Sequence, residues 1–423
     1  MDGLVYPDRT VHTGLLEYKN VYRPARVISY NKESGELVLH NYMDFDDLKD
    51  YVKISYELTQ DGLVISKGIL PEFFVAPHGE GKTNLKINVP ENGKCYLKLI
   101  YHLKKELPLL DEDHILGFDE IEVSKEDTKC KLAEKWIPKT VVDSELQVNE
   151  NDTQIHIKGR EFAYTIDKRT ALFTEMKFAG REYLNHPMEL NIWRAPTDND
   201  MYIKSEWKKA HYDKAYTRAY TTEVVQGKHG VKITSHASVV AETVQKILDV
   251  TITWKIEAAG KIDADIAVTK DDEFPDLPRF GVRMFLDKKL SAVRYFGMGP
   301  QESYCDKHQA ASHGLYQANV DDLHEDYIRP QENGSHYDCE YVELNNSRYG
   351  IVASAEKAFS FNASYYTQEE LEKKTHNYEL TESDSVVFCV DYALNGIGSN
   401  SCGPVVLDQY RFDDVLFLSL IHI

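Results

Sequence analysis

Between Arg26 and about Val123 apolar and polar residues alternate with a period of two. Glu36–His40, Val52–Leu58, Leu85–Val89 and Cys95–His102 each turn one face inward and one to water, which predicts strands. Asp61-Gly62 and Asn92-Gly93 fall between such runs and read as hairpin turns. Short strands at this spacing predict an immunoglobulin-like sandwich over 18–123. From 124 to 146 alternation gives way to charge, apart from Trp136-Ile137-Pro138, and the stretch reads as a linker.

The period of two resumes over 147–417. Thr251–Glu257 puts Ile252, Trp254 and Ile256 on one face. Ala259-Gly260 turns the chain, and Lys261–Val268 returns with Ile262, Ala264, Ile266 and Val268 inward. That is an antiparallel hairpin with a dry and a wet face. Glu340–Leu344, Gly350–Ala353 and Ser385–Val390 continue the pattern. Helical periodicity is confined to Lys204–Thr217, with Trp207, Ala210 and His211 on one face, and to Thr367–Thr375, where Thr367 and Glu370 have capping-box spacing. The chain is therefore read as all-β: a small sandwich followed by a large antiparallel super-sandwich. No repeat of propeller or solenoid period is found.

Composition narrows the partners. Lys and Arg total 49 against 69 Asp and Glu, a net charge of −20. Such a chain repels nucleic acid and anionic membrane surfaces unless a basic patch intervenes, and no Lys/Arg block supplies one. Cys95, Cys130, Cys305, Cys339, Cys389 and Cys402 are scattered, without CxxC or zinc-like spacing. With no leader read at the start, free thiols in a cytoplasmic setting are expected. No apolar run approaches the roughly 18–20 residues that span a bilayer. Leu418–Ile423 match what a common transposon-end sequencing adapter would encode, so they are read as an artefactual tail, with a genuine final edge strand as the alternative.

The polar strings carry the candidate chemistry. NIWRAPTDND at Asn191–Asp200 offers Asp198, Asn199 and Asp200 as hydroxyl-bonding side chains on a loop stiffened by Pro196; the competing reading is an Asx turn satisfying its own backbone. Arg194 has the fork to hold a carboxylate. GMGPQESY at Gly297–Tyr304 lacks the strand–GxGxxG–helix context of a nucleotide site and reads mainly as architecture. RPQENG at Arg329–Gly334 reads the same way, with Glu332 bracing Arg329. NGIGSNSCGP at Asn395–Pro404 contains Cys402, with no neighbouring His to activate it.

These strings, preceded by DGLVYPDRT and HTGLLEYK, resemble in order and spacing the C-terminal region of the large β-galactosidases of glycoside hydrolase family 2. The resemblance runs to about Arg411. It implies that residues 1–17 are a remnant of the segment after a catalytic barrel, that 18–123 is the family's fourth domain, and that 147–417 is its fifth, a super-sandwich shared with galactose mutarotases. It also implies retaining hydrolysis of terminal β-D-galactose, lactose included, with both carboxyl groups upstream on the barrel. No catalytic residue is assigned here: adjacent residues on a strand point to opposite faces, so sequence adjacency, as at Glu369-Glu370 or Asp321-Asp322, does not build the ~5–5.5 Å pair of a retaining enzyme, and these read as a solvated acidic surface.

Under the resemblance, Asp198, Asn199, Asp200 and Cys402 would line the substrate pocket. Cys402 falls where family members carry a stacking tryptophan, so acceptor binding should differ. Asp2 aligns with a ligand of a monovalent cation; the complete enzyme is expected to use Mg2+ and Na+ or K+, with no cofactor held within this chain alone. The expected partners are the (α/β)-barrel portion or large subunit, a β-galactoside and further copies in a homo-oligomer. The chain alone is expected to be inactive. Two rival functions stand beside this one: a mutarotase-like epimerase, which needs a Glu and His over one sugar oxygen, and a galactoside-binding module using Trp193, Trp207 or Trp254.

Overall fold

The computed structural model describes residues 3–125, 128–133 and 146–423. Asp2, Trp136-Ile137-Pro138 and most of the expected linker lie outside the described residues.

The chain is predominantly antiparallel β. In the first sandwich, the strands Ala25–Tyr30, Glu36–Asn41 and Glu80–Asn84 form one sheet. Leu63–Ile69, Val52–Gln60, Cys95–Leu103 and Ile115–Glu122 form the other. Alternation dictates the filling: Leu37, Leu39, Ile54, Leu58, Leu97, Leu99 and Tyr101 point inward and bury one shared core. Asp61-Gly62 is a hairpin turn as expected, with Gln60 opposite Leu63. Two expectations fail. Leu85–Val89 keeps the in-and-out alternation, yet forms no strand. Its ladder-like bonds stop at Leu85, whose N–H donates to Gly35 O while its own carbonyl accepts from the Tyr30 hydroxyl. Asn92-Gly93 consequently joins no hairpin; the neighbouring Lys94 N–H is held by Asp61 at 2.8 Å.

A helix the sequence reading did not find, Thr13–Val21, precedes this sandwich and spans the boundary drawn at residue 17. His12 caps it by accepting from the Gly14 N–H at 3.2 Å.

The second sandwich opposes a five-stranded sheet, from Arg181–Glu182 to Gln147–Glu150, to a twelve-stranded one. The predicted hairpin is present as Leu248–Glu257 and Ile262–Lys270, with Ile256 opposite Ile262. Trp254 is fully buried against Phe173, rings 4.8 Å apart and edge-on, and its indole N–H donates to Ala171 O at 2.8 Å. Leu416–His422 pairs in register with Ile262–Lys270, burying Phe417, Ser419 and Ile421, so the residues set apart as a tail continue a strand that begins before them.

The helix expected over Lys204–Thr217 is shorter, Ile203–Lys209. His211 adopts φ 59°, which no helix continues, and Tyr216 opens a strand. Around Thr367 the helix is Gln368–Lys373. The Thr367 hydroxyl caps Glu370 N–H at 3.1 Å, whereas the Glu370 carboxylate turns away to Thr381 N–H. All six cysteines are free thiols. No helix among the described residues is long and apolar enough to cross a membrane.

Candidate functional site

Hydrogen bonds between residues as much as 202 apart in the chain bring the polar strings together. The strand Leu184–Asn191 delivers the first of them, and Arg194 organises it. Its guanidinium is wholly buried. Nε and Nη2 donate to the two Asp200 oxygens at 3.1 and 2.7 Å, Nη2 reaches Gly396 O at 3.1 Å, and Nη1 bonds Asn395 O. Trp207 lies 5.2 Å beneath it. Burial works against the charge, but the Asp200 carboxylate outweighs it and raises the Arg194 pKa. One cation thus staples the 194–200 loop to the 395–404 loop.

Asp200 is consumed by this task. It is 2 % exposed and its second oxygen also accepts from Thr197 N–H at 2.9 Å. It anchors the loop from inside, so its oxygens are taken by the protein itself. Asn199 forms the outer tie: its amide donates to Gly398 O at 2.7 Å and its oxygen accepts from the Ser401 hydroxyl at 2.7 Å. Asp198 sits at the surface, with its N–H on Gln331 Oε1 at 3.1 Å and its carboxylate 3.5 Å from Arg329. Cys402 is exposed and follows Ser401 on the second of these loops. The paired loops that carry Asp198, Asn199, Ser401 and Cys402 make up the rim of the site, with Asp200 buried behind them.

Glu332 does not brace Arg329. It is buried and accepts from Arg279 at 3.1 Å, while Arg279 forks onto Asp391. Arg329 lies on the surface, out of its reach, and takes Asp198 instead. Sequence proximity misled because the chain bends at Ile328-Arg329 and again at Glu332, leaving Arg329 at the surface and Glu332 inside. Gly334, just beyond, is obligatory: at φ 69°, a Cβ would lie 2.4 Å from Leu323 O.

The GMGPQESY string supplies a second anchor. Glu302 is buried and accepts from Gly334 N–H at 2.9 Å, Thr13 Oγ1 at 3.3 Å, Lys307 Nζ and the Tyr327 hydroxyl. Burial alone would raise its pKa, but Lys307 and these donors lower it, so it is a carboxylate. Lys307 also reaches Thr13 at 2.9 Å, and Glu17 accepts from Gln309 and Ala310 N–H. The leading helix is thereby fixed against the wall of the site. Asp306, which sequence reasoning passed over, accepts from Ile397 and Gly398 N–H at 2.9 and 2.7 Å and sets the base of the 395–404 loop. Nothing in its sequence context distinguishes it from other surface aspartates.

Trp193, Trp207 and Trp254 are all buried, which removes them as sheet-face glycan contacts. Among the described residues no three His, Cys, Asp or Glu side chains come together to hold a metal ion.

The family model described as beta galactosidase small chain matches residues 158–419, and that for β-galactosidase domain 4 matches 37–124. The chain belongs to the β-galactosidase small-chain family. The β-galactosidase of Actinobacillus pleuropneumoniae is 44% identical over 414 residues, covering 97% of this chain and 40% of that protein. That of Staphylococcus xylosus is 31% identical over 419 residues, covering 98% and 41%. The chain thus spans about 40% of the length of the curated relatives it matches. Among solved structures, a galactose 1-epimerase from Lactobacillus acidophilus aligns with 66% of this chain and 98% of its own at 8% identity and a TM-score of 0.32.

Proposed function

We propose that this chain is the C-terminal portion of a cytoplasmic β-galactosidase that removes terminal non-reducing β-D-galactose with retention, and that it is inactive alone. Its part is to frame the acceptor side of a pocket whose two carboxyl groups lie on the barrel portion. It also contributes surface to a homo-oligomer. The observation that carries this reading is the rim: Arg194 and Asn199 lock two distant loops, which sets the loop of Asp198 and Asn199 beside the loop of Ser401 and Cys402. Family membership and the share of the relatives' length supply the rest. The buried carboxylates near the rim, Asp200, Glu302, Glu332 and Asp391, are each held by an arginine or lysine, which suits anchors rather than a nucleophile and acid. Cys402 gives the acceptor little area and no flat π face. The Mg2+ and Na+ or K+ of the complete enzyme belong with the barrel, and Asp2 would add one ligand from this side.

The test is complementation. Mixed with a barrel-containing large fragment, the chain should restore hydrolysis of a chromogenic galactoside and should be silent alone. Activity of the isolated chain that persists through purification would refute the proposal.

A further inference from the structure

The two sandwiches meet along a junction that buries a histidine between carboxylates of both. His313, on the strand Ser312–Asn319, is buried. Its Nδ1 lies 2.7 Å from Glu120 Oε1 of the first sandwich, and its Nε2 lies 3.0 Å from Asp338 Oδ2 of the second. Its backbone N–H also donates to Glu120, at 3.0 Å. The Tyr96 ring of the first sandwich stacks on the imidazole, centroids 4.1 Å apart and planes 6° from parallel. The Asp61-Gly62 turn closes the same junction, where a Cβ at residue 62 would lie 2.2 Å from Leu315 N.

The aim of Asp338 is built into the backbone. It sits at φ 53°, at a register shift between His336 and Cys339, so a bulge with a left-handed non-glycine residue directs its carboxylate toward His313. With carboxylates against both ring nitrogens, only the doubly protonated ring donates to both; a neutral ring leaves one lone pair facing an anion.

We propose that His313 is a proton-operated latch: as an imidazolium it ties Glu120 of the first sandwich to Asp338 of the second, and its deprotonation loosens the junction. Burial alone would strip the proton, but Asp338 and Glu120 outweigh it and hold the pKa at about 9. The folded value lies above the roughly 6.5 of an unfolded histidine. The contribution is therefore complete below about pH 6.5 and is lost as pH rises through about 9. Other charges face the junction. Lys94 lies 3.0 Å from Glu122 and 3.6 Å from Glu340, and Lys98 Nζ donates to the Ser312 hydroxyl at 2.9 Å. The His308 ring, near Asp338, stacks on Tyr337, and the Tyr316 hydroxyl bonds Ser312. Burial lowers the Lys98 pKa, so it too can titrate at alkaline pH. Variants at His313 separate the two.

The experiment is amide hydrogen exchange of the whole chain over a pH series from 7 to 10, corrected for intrinsic rates, comparing peptides across 94–99 and 312–318 with the core hairpin at 251–257. The expected result is a tenfold or greater loss of junction protection at pH 10 and an unchanged core. His313→Gln should show the reduced protection already at pH 7, with little further change. Asp338→Asn, which keeps a residue tolerant of the left-handed backbone, should move the wild-type midpoint down by at least one pH unit. Equal junction protection at both ends of the series, the same pH response in His313→Gln as in wild type, or an unmoved midpoint in Asp338→Asn would overturn the latch.

Discussion

Replacing Asp200 by Ala tests whether the rim is held from behind. The substitution removes both oxygens that Arg194 contacts at 2.7 and 3.1 Å, together with the acceptor for Thr197 N–H. Arg194 cannot escape to water: it is wholly buried over the Trp207 ring and tethered to Asn395 and Gly396 carbonyls. Removing one partner of such a pair costs about 3–5 kcal/mol, because the remaining charge stays desolvated. Against the ~5–15 kcal/mol of a typical fold this is a large fraction. Asp200→Asn keeps one acceptor and should cost less, about 1.5–3 kcal/mol. Arg329→Ala is the control: its pair with Asp198 is long and exposed, worth under about 1 kcal/mol. Urea unfolding followed by tryptophan fluorescence reads the site directly, since Trp193 and Trp207 flank Arg194 in sequence and space. The reasoning fails if Asp200→Ala unfolds within about 1 kcal/mol of Arg329→Ala.

Other outcomes follow from the same structure. Burial pushes the His336 imidazole down to about 4, below its roughly 6.5 unfolded value, so its contribution is whole above pH 6.5 and fades as pH falls toward 4; His336→Phe, packed on Phe361, should flatten that acid limb in denaturant titrations. Glu302→Ala strands Lys307 and removes the acceptor shared by Lys307, Tyr327 and Thr13, so the leading helix Thr13–Val21 should become the first site of limited proteolysis, with cleavage elsewhere unchanged. Cys402 is the one exposed thiol; a single fast-reacting equivalent is expected in the native chain, lost in Cys402→Ser, and a second fast thiol in that variant would contradict the surface assignment.

Much of the fold was legible in the chain. The alternation at Thr251–Glu257 and Lys261–Val268 fixes which side chains are dry, because a strand's two faces are a property of the backbone alone. Those residues are buried as read. The same rule named the right side chains at Leu85–Val89 but could not supply a ladder partner, which only the opposite strand decides. At the rim, the strings were visible as candidates, and the Arg194–Asp200 fork spans only six residues. What they touch was not visible: Asn199 binds Gly398, Glu332 chose Arg279 over its neighbour Arg329, and Asp306 carried no signal at all.

The sequence by itself determined the all-β class, the faces of most strands and the family to which the loops belong. Tertiary structure alone decided which charges meet. Glu120, His313 and Asp338 lie far apart in the chain, as do Arg279 and Asp391, and each group comes together because sheet packing places them within 2.5–3.1 Å. Side-chain direction is set by local backbone geometry, whereas an ion pair is set by the path of every residue between its partners, and that path exists only once the core has packed.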